Sequence, residues 1–88
     1  MLQITIMHEP QKVYILEIKE VDTLTILSQF DESKGLIDLE PLAEHVGDTA
    51  MVTHFVKENG CTRLDYEHVK TITKVDKDEH GLWFLEYN

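Results

Sequence analysis

Four side chains with chemical reach fall close together in this sequence: His54, Cys61, Arg63 and Asp65. They flank the pair Asn59-Gly60, the strongest short-range signal for a two-residue β-hairpin turn, because both residues accept positive φ. With that pair as the loop, Glu58 opposes Cys61, Val56 opposes Arg63, Phe55 opposes Leu64, His54 opposes Asp65, and Thr53 opposes Tyr66. His54 and Asp65 then share a face as a base and an acid within reach of one proton. A cross-strand surface pair is the plainer reading of the same geometry. The Cys61 thiol becomes a nucleophile only when a nearby cation lowers its pKa. Arg63 is such a cation, but Asp65 on the same face opposes thiolate formation.

The remaining histidines, His8, His45, His68 and His80, lack the spacing of a metal site, and so does the single cysteine. With four glycines in the chain, no phosphate-cradling loop can be assembled, and no serine–histidine–aspartate order or nucleotide fingerprint appears. The expectation is a non-enzymatic protein with no catalytic residue, no cofactor and no metal.

Charge gives a positive indication. Seventeen acids against eight bases leave a net charge of −9, and Arg63 is the sole arginine. Binding to a phosphate backbone depends on clustered Lys and Arg, so direct contact with nucleic acid or with an anionic membrane is disfavoured. A basic protein partner fits better, since opposite fields steer association. The acids gather in turns and at strand ends. Asp31 and Glu32 form one group, and Asp76, Asp78 and Glu79 another. Trp83 and Tyr87, with Phe55, are the aromatic residues suited to anchor a contact. The expected partner-binding set is therefore Asp31, Glu32, Asp76, Asp78, Glu79, Trp83 and Tyr87, with self-association a further option.

Eighty-eight residues make one domain, 1–88. A lone cysteine cannot form an intrachain disulfide. The opening residues lack a basic stretch followed by a long apolar run, so no signal peptide is expected. No stretch approaches the roughly 18 apolar residues needed to span a bilayer. A cytoplasmic location follows as the expectation.

Hydrophobic alternation places these residues on strands. Leu2, Ile4 and Ile6 alternate with polar neighbours, and Pro10 interrupts the ladder. In the next run Tyr14, Leu16 and Ile18 share one face and Val13 and Ile15 the other, the pattern of a central strand. Leu24, Ile26 and Phe30 share a face in the third run. A polar turn, residues 31–35, precedes a short helix over 41–46, where Pro41 suits a first helical position and Leu42, Ala43 and Val46 form one side. Two late strands, 67–75 and 81–88, close the chain. Residues 82–85 are apolar on both faces, as in a central strand or a subunit contact. The fold class is mainly β: a small barrel or strongly curved antiparallel sheet of six or seven strands with one short helix.

One alternative is helical. "LAEHVG" resembles the first helix of the helix-turn-helix family: Ala43 and Gly47 match that motif, whereas Thr53 stands where it places an apolar residue. The resemblance implies an α+β chain with the motif over 41–58 and a regulator of transcription, on a recognition face poor in positive charge. The spacing Leu64, Tyr66, Val69, Ile72 implies instead a strand that stops at Tyr66, bends and restarts near Val69, which resembles a corner of the Sm-like small barrels. In charge and size the chain is also similar to acidic inhibitors that imitate nucleic acid and occupy the basic groove of a DNA- or RNA-binding enzyme. The leading functional expectation is a small acidic regulatory module that acts through protein–protein contact.

Overall fold

The computed structural model describes residues 1–33 and 37–88. The described residues form a six-stranded sheet, curled into a half-barrel, with one short 3-10 helix. The strands are β1 (Leu2–Glu9), β2 (Lys12–Glu20), β3 (Thr25–Gln29), β4 (Thr49–Glu58), β5 (Cys61–Lys77) and β6 (Trp83–Tyr87), and the helix is Glu40–His45. Their order across the sheet is β3-β2-β1-β4-β5-β6. Of the expected polar turn at 31–35, Lys34 and Gly35 lie outside the described residues.

The small curved sheet of the sequence reading is present, with one departure: β1 and β4 run parallel. Leu2 pairs with Ala50 and Ile4 with Val52. Parallel neighbours need a long crossover, which here contains β2, β3 and the helix. The crossover carries Leu39 and Leu42 into the core formed by Leu2, Ile4, Ile18, Ala50, Val52 and Ile72. Each large side chain in that set contributes about 1.5–3 kcal/mol by leaving water. Of the helical trio expected to pack together, only Leu42 is buried; Ala43 and Val46 are exposed. A six-residue 3-10 turn has one narrow face, and Pro41 stands in its first turn. Two bonds tie this region to β5: Gly47 N–H donates to the Ile72 carbonyl at 2.8 Å and Ile72 N–H to the Asp48 carbonyl at 3.0 Å.

The helix-turn-helix alternative is overturned, because Thr49–Glu58 is a strand. Thr, Val and Phe at positions 49–56 favour a pleated surface, and Asn59 (φ 52°) with Gly60 (φ 77°) turns the chain into β5. The pairs Glu58–Cys61, Val56–Arg63 and Phe55–Leu64 form as the turn dictates. Beyond them an extra residue, Asp65, bulges from β5, so that His54 pairs with Tyr66 and Thr53 with Glu67. The Thr53 hydroxyl accordingly donates to Glu67 Oε2 at 2.9 Å.

The expected break between Tyr66 and Val69 is absent, since β5 is continuous over 17 residues. At about 3.3 Å per residue it would span roughly 56 Å if straight, against a longest molecular dimension of 37 Å. The strand must therefore bend. It leaves β4 at Thr71 and takes up β6 at Ile72, and a second extra residue, Thr73, sits at that junction. Bulges bend and twist a strand, so one curved strand does the work expected of two. β6 lies at an edge of the sheet, not at its centre.

Two more bulges correct the expected faces. Leu16 is the extra residue between β1 and β2, and it places Ile15, not Leu16 or Tyr14, beside Ile18 against the core. Leu27 is the extra residue between β2 and β3; it packs on the core while Leu24 and Ile26 are exposed. Leu24 belongs to the preceding turn, with φ at 56°.

Two substitutions report on this framework. Gly60→Ala puts a side chain at φ 77° and is expected to cost about 1 kcal/mol. Ile4→Ala empties a fully buried site and is expected to cost about 2–5 kcal/mol. Urea denaturation midpoints measure both; an unchanged midpoint for Gly60→Ala contradicts the turn.

Candidate functional site

The half-barrel is open along one side, between β6 and the first half of β2, which extends beyond its pairing with β3. An apolar cleft of about 490 Å³ occupies this seam. Trp83, Leu85 and Tyr87 line it from β6, and Val13 and Ile15 from β2. Ile37 and Leu39, on the approach to the helix, also line it, and Phe30 and Leu82 border it. The volume falls in the range of ligand clefts. The cleft follows from local sequence. Alternation on β6 sends residues 83, 85 and 87 toward the core side, and β2 runs past the end of its pairing with β3 at Glu17.

Trp83 and Tyr87, two of the sequence-predicted anchors, thus meet in one cleft, both half-buried. Phe55 lies elsewhere, on β4 beside Leu64. Asp31 and Glu32 follow Phe30 and line an adjoining polar hollow of about 620 Å³ with Asp38 and Pro41. Asp76, Asp78 and Glu79 lie in and before the β5–β6 turn, which leads through Leu82 into the same cleft. The two acidic groups therefore stand at segments that both reach the seam. Their carboxylates are not equivalent. Asp78 Oδ1 accepts from His80 N–H at 2.8 Å and Leu82 N–H at 2.9 Å, and so holds the turn. Asp76 Oδ1 accepts from Lys77 N–H at 2.8 Å. Asp31 Oδ1 accepts from Ser33 N–H at 2.8 Å and from the Ser33 hydroxyl at 2.6 Å. Glu32 and Glu79 are exposed. Cations from β5 sit over two of the β6 rings: Lys77 Nζ is 5.1 Å from the Trp83 centroid and Lys74 Nζ 5.5 Å from that of Phe84.

A second cluster was not legible in the sequence. The His54 ring stacks on Tyr66 at 4.8 Å with 5° between the planes, His8 meets His54 edge-on at 5.7 Å, and His68 lies 5.3 Å from Tyr66. The parallel β1–β4 pairing brings His8 toward His54, and the Asp65 bulge puts Tyr66 opposite it. His54 Nδ1 remains 3.5 Å from Asp65 Oδ2, outside hydrogen-bond geometry, and Asp65 Oδ1 is 3.5 Å from Arg63. The imidazole side chain is 12% exposed. Tyr66 covers one of its faces. Cys61 is exposed beside the turn. No group of three or more His, Cys, Asp or Glu among the described residues is arranged to hold a metal ion.

Tyr66 links this cluster to the cleft. Burial first, and then a hydrogen bond with Tyr66, push the Tyr87 hydroxyl up to about 12 from its ordinary value near 10. No helix among the described residues is long and apolar enough to cross a membrane. No protein-family model, curated protein or solved structure matches the chain significantly.

The raised Tyr87 value fixes a sign. Folding favours the neutral phenol, so its contribution is complete below about pH 10 and is lost as pH rises toward about 12. Thermal midpoints across that window are expected to fall less steeply for Tyr87→Phe than for the unaltered chain. Equal slopes would remove Tyr87 from the linkage.

Proposed function

We propose that this chain is a small acidic binding module that acts without catalysis, by seating part of a protein partner in the seam cleft. The observation that carries this reading is the meeting of Trp83 and Tyr87 in an apolar cleft whose borders lead directly to two groups of carboxylates. Partly buried aromatic residues in a recess supply most of the affinity at protein contacts, while charges at the rim set rate and specificity. A net charge of −9 favours a basic partner.

A photo-crosslinking amino acid at position 82, on the border of the cleft, tests this reading in a lysate of the source cells. The expected result is a salt-sensitive crosslink to a basic protein, absent when the probe stands at the exposed position 69. Trp83→Ala, checked for folding by circular dichroism, is expected to weaken capture at least tenfold, the loss of about 1.4 kcal/mol or more at an anchor. Glu32→Lys combined with Glu79→Lys should weaken the salt dependence. Equal crosslinking at 69 and 82 contradicts the reading. Capture abolished by duplex DNA but indifferent to Trp83→Ala would place the protein among imitators of nucleic acid instead.

A further inference from the structure

We propose that the partner enters the seam as an extended strand, pairs along the free edge of β6 and closes the half-barrel. The inference rests on the seam cleft being the binding site, and it specifies what the cleft accepts.

The free edge of β6 follows from hydrogen bonds at its end. Asn88 N–H donates to the Thr71 carbonyl at 2.9 Å, and Thr71 N–H donates to the Asn88 carbonyl at 3.2 Å. Backbone groups of successive residues in a strand point to opposite sides. With residue 88 facing β5, the N–H and C=O groups of Tyr87, Leu85 and Trp83 face the open side. The side chains of these same three residues line the cleft. Across the seam, Lys12–Ile15 of β2 pairs with β1 on one side, and no described strand flanks it on the other. An entering strand therefore meets unpaired backbone on β6 and an apolar hollow beneath it.

The other free edges are protected against such pairing. The first half of β5, from Cys61 to Lys70, has β4 on one side alone. It carries the Asp65 bulge together with Arg63, Glu67 and Lys70. Bulges and charges are the common devices that keep an edge from recruiting another strand. The edge of β3, as short as β6, contains a bulge at Leu27. β6, with the sequence WFLEY, has neither a bulge nor any charge except Glu86.

The chemistry of the occupant follows from the two faces of β6. Residues that alternate along an added strand point to opposite sides. One set enters the apolar cleft and calls for Val, Ile, Leu or Phe. The other set lies with Phe84 and Glu86 on the solvent side, beside Lys74, and the acidic β5–β6 turn close by calls for Lys or Arg at its end. The occupant is thus a basic segment of a partner protein with alternating apolar residues, about five to seven residues long to match β6. A second copy of this acidic chain is disfavoured by like charge.

The test uses the whole protein and three capped heptapeptides. The first alternates lysine and valine. The second has the same composition with the valines in one block. The third is the alternating peptide with N-methyl groups on alternate amides, which removes one edge of donors and keeps every side chain. The readouts are Trp83 fluorescence and amide hydrogen exchange at Leu85 and Tyr87. The alternating peptide is expected to shift the fluorescence and to slow exchange at both amides at least tenfold, the others much less. A fluorescence shift with no protection of those amides overturns the strand and leaves the cleft in place. Equal binding of the alternating and blocked peptides overturns it as well, and so does no response to any peptide. Protection that rises with protein concentration, without peptide, would name a second copy as the occupant. The crosslink at position 82 judges the cleft independently, so failure of the strand and failure of the site can be told apart.

Discussion

Parallel pairing of β1 with β4 is the constraint on which the rest of the molecule depends. It joins residues about fifty positions apart, Leu2 with Ala50 and Ile4 with Val52, and places two antiparallel arms on either side. Had β1 and β4 met antiparallel, the connection would not need to carry Leu39 and Leu42 beneath the sheet. The helix owes its position to that crossover, because six residues of 3-10 structure have no stability of their own. The same pairing leaves β3 and β6 as the outermost strands, and the recess lies between β6 and the part of β2 that β3 does not cover. Core and site are thus consequences of one topological decision. Non-local pairing of this kind also closes slowly during folding, since a long loop must be ordered first.

Much of the architecture can be read from the residues, and the places where reading fails share a cause. Asn59-Gly60 announces the β4–β5 turn because of its backbone freedom, and the first four pairs beyond it follow by counting. Pro10 and the alternation of Leu2, Ile4 and Ile6 likewise mark β1 and its end. Counting fails at Leu16, Leu27, Asp65 and Thr73, where one strand holds an extra residue. None of the four is a glycine, and nothing in their chemistry distinguishes them from regular strand residues. A bulge is fixed by what the neighbouring strands require, which is tertiary information. For the same reason the gap between Tyr66 and Val69 suggests a break, although the chain bends without leaving the sheet.

The site was legible in its parts and not in its arrangement. Trp83 and Tyr87 stand out as aromatic residues on an alternating strand, and the acids stand out by number. That β6 lies at an edge, with a recess beneath those two rings, follows from sheet order alone. The His8–His54–Tyr66–His68 row was invisible for a related reason: it needs both the parallel pairing and the Asp65 bulge. Asp78 illustrates the converse. Its charge suggests a contact with a partner, while its hydrogen bonds to the amides of residues 80 and 82 show it shaping the turn.

The bulge at Asp65 has a consequence for heredity. What must be transmitted at this position is a count of residues, not a side chain. Many amino acids can fill the extra place, and losing it would leave Leu64 opposite Phe55 and Tyr66 opposite His54 while removing the bend that the bulge puts into β5. A gain or loss at a paired position of β5, by contrast, would shift its register and exchange inward and outward faces over one part of the strand.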